Sequence, residues 1–196
     1  PEAKCYMVGV PRITYMPFPF QIVQTPAHVT FLYEYVHTVR SVYLNAPHPR
    51  GPIEWWMGDS RGHWEGDTLV IDVVHFTDQT RFDRSGNYHS TALHVVERYR
   101  LVDYDTAKPA IDREAKINTT YPRGLNAIEY DPNYRGKHLE LVVTVDDPKA
   151  FTTPWTSTMI YGRPIGNWPE HVCAENTMEY YNNKDADVPK AERPDF

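Results

Sequence analysis

The sequence predicts an all-β fold, built as an antiparallel barrel or a sandwich with long loops and at most one short helix. Aromatic residues form 13% of the 196-residue chain, and 17 prolines divide it into short pieces. Both features favour strands and turns over helices. Apolar residues show helical spacing only in a short stretch near the C-terminus, EHVCAENTMEYY. Strands with no helices between them exclude a chain of βαβ units.

The predicted strands are rich in β-branched and aromatic residues and are separated by turn signals. Residues 45–66 between two of them carry several prolines and glycines and read as a long loop, a place where functional groups often lie. We expect strands within 18–45 (two or three strands), 68–76, 88–102, 138–145 and 152–163. About eight strands at this spacing fit a small lipocalin-like barrel, the usual way to enclose a ligand with such strands.

The domain organisation follows from length and local composition. A chain of this length suits one domain with a sizeable core, and we assign it to residues 1–175. Residues 106–137 are polar and read as an insertion between two strands. Residues 176–196 are charged and contain proline, which predicts an extended C-terminal tail.

The overall charge bears on possible partners. The chain has 26 acidic and 20 basic residues, a formal charge of −6, and no long run of Lys or Arg. This composition argues against nucleic acid as a partner. No apolar stretch approaches the roughly 20 residues of a membrane span, and the chain begins abruptly, as a processed protein does. We expect a small-molecule ligand and leave a homo-oligomer open.

Cys5 and Cys173 are the only cysteines and stand near the two ends of the predicted domain. A disulfide between them would join the N-terminal segment to the last element in an oxidising compartment. The alternative is two unrelated buried thiols, because two cysteines form no framework and show no metal-ligand spacing.

Three sequence blocks carry a resemblance. They are WMGDSRGHWEGDTLV at 56–70, HSTALHVVERY at 89–99 and DPKAFTTPW at 147–155. In these blocks the sequence resembles a family of exported bacterial proteins of unassigned activity. The resemblance implies a β-rich body and a secreted or periplasmic location, and it transfers no catalytic residues. Residues 106–137 depart from the shorter connection expected in that family.

Glu97 is the most informative single residue. Period-two counting places it on the apolar face of its strand with Leu93, Val95, Tyr99 and Leu101, where an unpaired carboxylate costs several kcal/mol. His89 has the same parity, and His37 shares a face with aromatic residues on an earlier strand. We predict that His37, His89 and Glu97 form an interior acid–base group. The alternatives are a structural Glu–His or Glu–Arg pair, or a bulge that places His94 inside instead.

The candidate substrate-binding residues are aromatic or basic. Tryptophans suit stacking on a sugar or aromatic ring and serve equally well to plug the ends of a barrel, and an arginine can hold an anion. The predicted set is Tyr35, Arg40, Trp56, Arg61 and Trp155.

No cofactor is expected. His75 and His94 are conceivable ligands of a transition metal, but the sequence has no HExxH, paired-cysteine or repeated HxH motif. Gly58-Asp59-Ser60 and the DxxH string from Asp72 to His75 match serine-hydrolase motifs in letters only. We treat that match as accidental, because those motifs belong to an α/β fold. A local Asp59–Arg61 pair is the simpler expectation.

Two functional hypotheses remain. One is an enzyme, a lyase, isomerase or hydrolase that acts on a small phenolic, terpenoid or sugar-derived molecule by His/Glu acid–base chemistry. The other is a noncatalytic exported protein that binds a ligand or takes part in assembly. They differ in whether two titratable side chains converge at an accessible site.

Overall fold

A computed structural model describes most of the chain. The described residues are 6–83, 85–120, 131, 133–163, 178–179 and 184–185. Cys5, Cys173 and nearly all of the predicted tail lie outside them, as does most of the C-terminal stretch with helical spacing. The disulfide therefore stays a prediction.

The main body is one eight-stranded sheet that curls into a half-barrel, which confirms the all-β prediction. Strands adjacent in the chain are adjacent in the sheet, in the order β1 to β8. All neighbours are antiparallel except β3 and β4, which pair in parallel through Tyr43 with Arg61 and Leu44 with Gly62. The strands are β1 (Phe20–Gln24), β2 (His28–Tyr33), β3 (Val39–Leu44), β4 (Asp59–Glu65), β5 (Thr68–Val74), β6 (His94–Val102), β7 (His138–Asp146) and β8 (Trp155–Tyr161).

The concave face of the sheet forms the core. Alternate residues of the strands are buried there, as a pleated strand with one face toward the core requires. On β6, Val95, Glu97 and Tyr99 are buried, as predicted, but Leu101 of the same parity is 62% exposed. It stands near the end of the strand, so its predicted place in the core is wrong. The buried strand residues that form the core are Val29, Phe31, Tyr33, Val42, Leu69, Ile71, Val73, Val95, Tyr99, Leu141, Val143 and Val145.

The segment before β1 belongs to this core. It contains a short helix, α1 (Arg12–Tyr15), and its apolar side chains Val8, Val10 and Ile13 are buried in the core cluster. The Tyr161 hydroxyl at the end of β8 donates to the Thr14 carbonyl at 2.6 Å. The chain therefore supplies both a curved sheet and a segment that packs against its inner face.

A short 3-10 helix, Tyr35–His37, separates β2 from β3. Val36 (φ 56°) and His37 (φ 47°) have left-handed backbone conformations there, so the two-residue period is interrupted. Tyr35 is buried and His37 exposed. The predicted strand face shared by His37 and its aromatic neighbours does not exist. After the break, the buried positions of β3 include Arg40.

The longest helix among the described residues, α2 (Tyr104–Thr120), lies mostly within the predicted insertion and packs against β7 and β8. The sequence predicts at most one short helix, with helical spacing only near the C-terminus, so this 17-residue helix differs from that prediction. Its buried or partly buried apolar residues include Tyr104, Ala107 and Ile111, whose spacing of three and four residues is helical but too sparse to stand out. Met178–Glu179 (β9) and Lys184–Asp185 (β10) pair with each other. Neither α2 nor another helix in the described ranges is long and apolar enough to cross a membrane.

Candidate functional site

Glu97 lies fully buried at the centre of the concave face, and its partner is an arginine. Arg40 Nη2 donates to Glu97 Oε2 at 2.5 Å, and the Tyr99 hydroxyl donates to Oε1 at 3.2 Å. Arg40 Nε donates to Ser60 Oγ at 2.9 Å. The prediction that Glu97 faces inward and pairs with a histidine or an arginine is confirmed, and the partner is an arginine.

The charges in this interior group are strongly coupled. Burial lowers the pKa of Arg40, but the Glu97 carboxylate more than offsets this, and the net shift is upward. Burial, and then the Glu97 charge, raise the pKa of Tyr99 well above its ordinary value. Arg40 therefore stays charged and Tyr99 stays neutral across the physiological range. Such a fixed ion pair suits a structural role better than proton transfer.

The two histidines predicted beside Glu97 lie elsewhere. His37 is exposed in the 3-10 helix, as described above. His89 is buried before β6, where Nε2 lies 2.5 Å from Thr80 Oγ1 and Nδ1 lies 3.1 Å from the Ser90 carbonyl oxygen. Its ring packs edge-on against Phe76 and Phe82. The predicted interior group of His37, His89 and Glu97 is therefore not assembled.

The predicted substrate-binding residues do not share a surface. The buried Tyr35 hydroxyl donates to the Tyr6 carbonyl at 3.2 Å, and Trp56 Nε1 donates to the Met7 carbonyl at 2.6 Å. Both side chains thus hold the N-terminal segment. Trp155 packs edge-on against Phe82 and Phe151. Arg40 lies inside the half-barrel and Arg61 on its outer face.

A second group of titratable residues lies on the outer, convex face of β4, β5 and β6. In the sheet, Arg61 is directly opposite Asp72, and Asp59 is opposite Val74. Asp72 is in turn opposite Val96, so His94 is its diagonal neighbour on the same face. His48, from the loop after β3, completes the set. We call His48, Asp59, Arg61, Asp72 and His94 the outer cluster.

The outer cluster is a continuous chain of hydrogen bonds. Arg61 binds Asp59 through Nε at 2.7 Å and Nη2 at 2.8 Å, which confirms the expected local pair. The Asp59 pKa is raised by burial and lowered more strongly by bonds to Arg61 and His48, for a net decrease. Asp59 is therefore an ionised anchor for the chain.

His48 bridges the two carboxylates of the cluster. Its Nδ1 lies 2.6 Å from Asp59 Oδ2, and its Nε2 lies 3.0 Å from Asp72 Oδ1. With both carboxylates ionised, only the doubly protonated ring donates to both. His48 therefore connects the loop to the sheet and fixes the orientation of the Asp72 carboxylate.

His94 is at the open end of the chain. Its Nε2 lies 3.0 Å from Asp72 Oδ2, and within the described residues its Nδ1 has no hydrogen-bond partner. The hydrogen bond to Asp72 raises the pKa of His94, and the charges of Asp72 and Asp146 raise it further against partial burial. The bond to His94 correspondingly lowers the pKa of Asp72. The side chains of His94 and Asp72 are 41% and 42% exposed, so both can meet a molecule from solvent.

His75 and Trp55 border the outer cluster. The His75 ring centroid is 6.1 Å from that of His48 and 6.0 Å from that of Trp55. His75 has a left-handed backbone (φ 61°), a strained conformation for a residue with a side chain. In the part of the chain that the structure describes, no His, Cys, Asp and Glu side chains are grouped in a way that could hold a metal ion. Of the two histidines considered as metal ligands, His75 makes ring contacts with His48 and Trp55, and His94 is bonded to Asp72.

Comparison of the chain with protein-family models, curated proteins and solved structures gave no match. The site is therefore interpreted from its own geometry.

Three members of the outer cluster were not among the predicted site residues: His48, Asp59 and Asp72. The outward parity of Asp72 and His94 was readable from their strands and could have suggested a shared face. The register that makes them diagonal neighbours could not be read, since it depends on the length and path of residues 75–93. His48 lies in a loop without periodicity, so nothing in the sequence indicated its partners.

Proposed function

We propose that the protein is a general acid–base enzyme, of the hydrolase, lyase or isomerase type, that acts on a small molecule at the outer cluster. The observation that carries the proposal is the His94–Asp72 pair, in which one ring nitrogen is fixed by a carboxylate, the other has no hydrogen-bond partner among the described residues, and the side chain is 41% exposed. This arrangement orients an imidazole and stabilises its charged form.

The chemistry assigned to His94 is proton transfer through Nδ1. With Nε2–H donating to Asp72, a neutral ring offers the Nδ1 lone pair to a water molecule or to an acidic substrate proton. The resulting imidazolium is stabilised by Asp72 and returns the proton to a leaving group or a neighbouring atom. The pKa of His94 is shifted upward by its bond to Asp72, which favours the charged ring and makes the proton-donating form more populated than in a free imidazole at the same pH.

The remaining cluster residues act as positioning residues. His48 occupies the second oxygen of Asp72, so the carboxylate cannot rotate away from His94. Asp59 holds His48 in turn, and Arg61 holds Asp59. Trp55 is 38% exposed beside His75 and offers a flat surface against which a small substrate can lie. Secretion or export to the periplasm remains a prediction from the resemblance.

The test measures two proton-transfer reactions with purified protein. One is hydrolysis of 4-nitrophenyl acetate, and the other is deuterium uptake from D₂O by enolisable ketones. We expect one of them to be catalysed, and His94→Gln to lower its rate by roughly 10²-fold or more. His48→Gln should lower it less, because it loosens Asp72 without removing the base.

His63→Gln is the matched control. His63 is an exposed histidine on β4 whose Nε2 lies 3.1 Å from Glu65 Oε1, so it is also paired with a carboxylate. An exposed imidazole attacks activated esters without any organised site, and this variant measures that background. If neither reaction is catalysed, or if His94→Gln and His63→Gln behave alike, the proposal is wrong.

A further inference from the structure

The loop between β3 and β4, residues 45–58, is tied to two strands of the sheet by one imidazole ring. His48 Nδ1 lies 2.6 Å from Asp59 Oδ2 on β4, and His48 Nε2 lies 3.0 Å from Asp72 Oδ1 on β5. The His48 side chain is 26% exposed, so it exchanges protons with solvent. Its protonation state therefore decides how many hydrogen bonds the loop donates to the sheet.

Both carboxylates that face His48 remain ionised over a wide pH range. Burial raises the pKa of Asp59, but hydrogen bonds from Arg61 and His48 lower it more, so the net shift is downward. The hydrogen bond to His94 lowers the pKa of Asp72 against partial burial, and the bond to His48 lowers it further. Above about pH 4 the ring therefore faces two acceptors. Only the charged ring can donate to both, because a neutral imidazole has a single N–H.

The burial of the two carboxylates decides which bond a neutral ring keeps. The Asp59 side chain is 7% exposed and that of Asp72 is 42% exposed. A buried carboxylate that loses a donor is penalised more than an exposed one, which water can solvate. The single N–H of neutral His48 therefore stays on Asp59, which Arg61 also holds in place through two bonds. The Nε2 lone pair then faces Asp72 Oδ1, and two acceptors at this distance repel each other.

Other charged and titratable side chains surround this link. Arg61 on β4 carries a permanent charge and binds Asp59. The His75 ring, after β5, has its centroid 6.1 Å from that of His48, and His94 on β6 binds the second oxygen of Asp72. Histidines change charge between about pH 5 and 8, so all three must be distinguished. Of these three, His48 is the one that belongs to the loop.

We propose that His48 is a pH-sensitive latch, whose charged form ties the loop to both β4 and β5 and whose neutral form releases β5. The latch is closed from about pH 4 upward and opens as the pH rises through the titration of the ring, because protonation favours the closed form. On opening, Asp72 loses the donor on Oδ1 and turns toward water. The consequence for His94, which shares that carboxylate, rests on the proposed function, whereas the release of the loop does not.

Two NMR measurements on the wild-type protein between pH 5 and 9 test the latch. The nitrogen chemical shifts of the His48 ring report its protonation. The Trp55 amide, which donates to the His75 carbonyl at 2.8 Å at the base of the loop, reports opening through its hydrogen exchange relative to an unstructured peptide at the same pH. We expect its protection to fall by about 10-fold over the interval in which the ring loses its proton.

Three variants identify the group that is responsible. His48→Gln should hold the protection of the Trp55 amide at the high-pH level of the wild type throughout, because a glutamine does not titrate. His63→Gln is the matched control and should reproduce the wild-type curve, since His63 pairs with Glu65 outside the loop. His94→Gln should also retain the fall, even if it abolishes the proposed reaction. A failure of the acid–base function and a failure of the latch are therefore separate results.

Asp72→Asn gives a second check on the mechanism. Its side-chain amide can donate to the neutral ring, so the variant should lose most of the fall in protection. A fall of full size in Asp72→Asn would overturn the proposal. So would a His48 ring that stays charged up to pH 9, a protection that is constant while the ring titrates, or a fall that persists in His48→Gln.

Discussion

Arg40 on β3 and Glu97 on β6 form an ion pair across the concave face, although two strands separate them in the sheet. Their side chains are 2% and 0% exposed. An isolated charge at either position would be costly, so each residue depends on the other. This interdependence leads to the first prediction.

Glu97→Gln should lower the free energy of unfolding by about 1 to 3 kcal/mol, because Arg40 loses its charged partner while the shape is preserved. Chemical denaturation measures this change. Replacing both residues, as Arg40→Met with Glu97→Leu, should restore part of the loss, since it removes the unpaired charge. The double variant should lose less stability than Arg40→Met and Glu97→Leu lose in total when each is made alone. A loss larger than that total would contradict this account.

The His94–Asp72 pair predicts how stability depends on pH. Because the pKa of His94 is raised in the folded state, its contribution is complete below about pH 6.5 and is lost as the pH rises through the folded pKa. Because the pKa of Asp72 is lowered, its contribution is complete above about pH 3.9 and is lost as the pH falls through the folded pKa. The stability difference between wild type and His94→Gln should therefore be largest between about pH 4 and 6.5.

Denaturation at a series of pH values measures this difference. In an Asp72→Asn background, His94→Gln should have little effect at any pH, because the partner is already absent. A difference that stays constant or grows above neutral pH would show that His94 is not charged in the pair.

His48 should hold the loop between β3 and β4 against the sheet. Two backbone hydrogen bonds, each 2.8 Å long, fix the base of this loop: the Asn45 N–H donates to the Gly62 carbonyl and the Trp55 N–H to the His75 carbonyl. His48 lies in the loop between these bonds and binds Asp59. His48→Ala should therefore speed tryptic cleavage after the exposed Arg50, by about 10-fold for a loss of about 1.4 kcal/mol in local stability. Mass spectrometry of the fragments follows the cleavage. Equal rates in His48→Ala and the control His63→Ala would refute this role.

The predicted disulfide between Cys5 and Cys173 is tested by thiol titration. The denatured, unreduced protein should contain no free thiol, and reduction should release two. The loop that such a bond closes is long, so reduction should also lower the melting temperature. Finding two free thiols before reduction would rule out the bond.

The sequence by itself determined the all-β class and the inward position of Glu97. Alternation along β6 is a local property of one strand, and it survives in the structure from Leu93 to Tyr99. The partner of Glu97 was decided by the 3-10 helix at Tyr35–His37, which changes the face presented by the following strand. Two left-handed residues cause that change. Val36 is β-branched and does not signal such a conformation, and histidine, although enriched in it, adopts it too rarely to predict the break.

The outer cluster was decided only by the tertiary structure. Its residues come from one loop and three strands, and their contacts depend on strand register and on the path of residues 45–58. Register depends on how the connections close and on which face is buried, and these are properties of the whole sheet. Local pattern could place Asp72 and His94 on an outer face, but only the assembled sheet brings His94, Asp72 and His48 into hydrogen-bond contact.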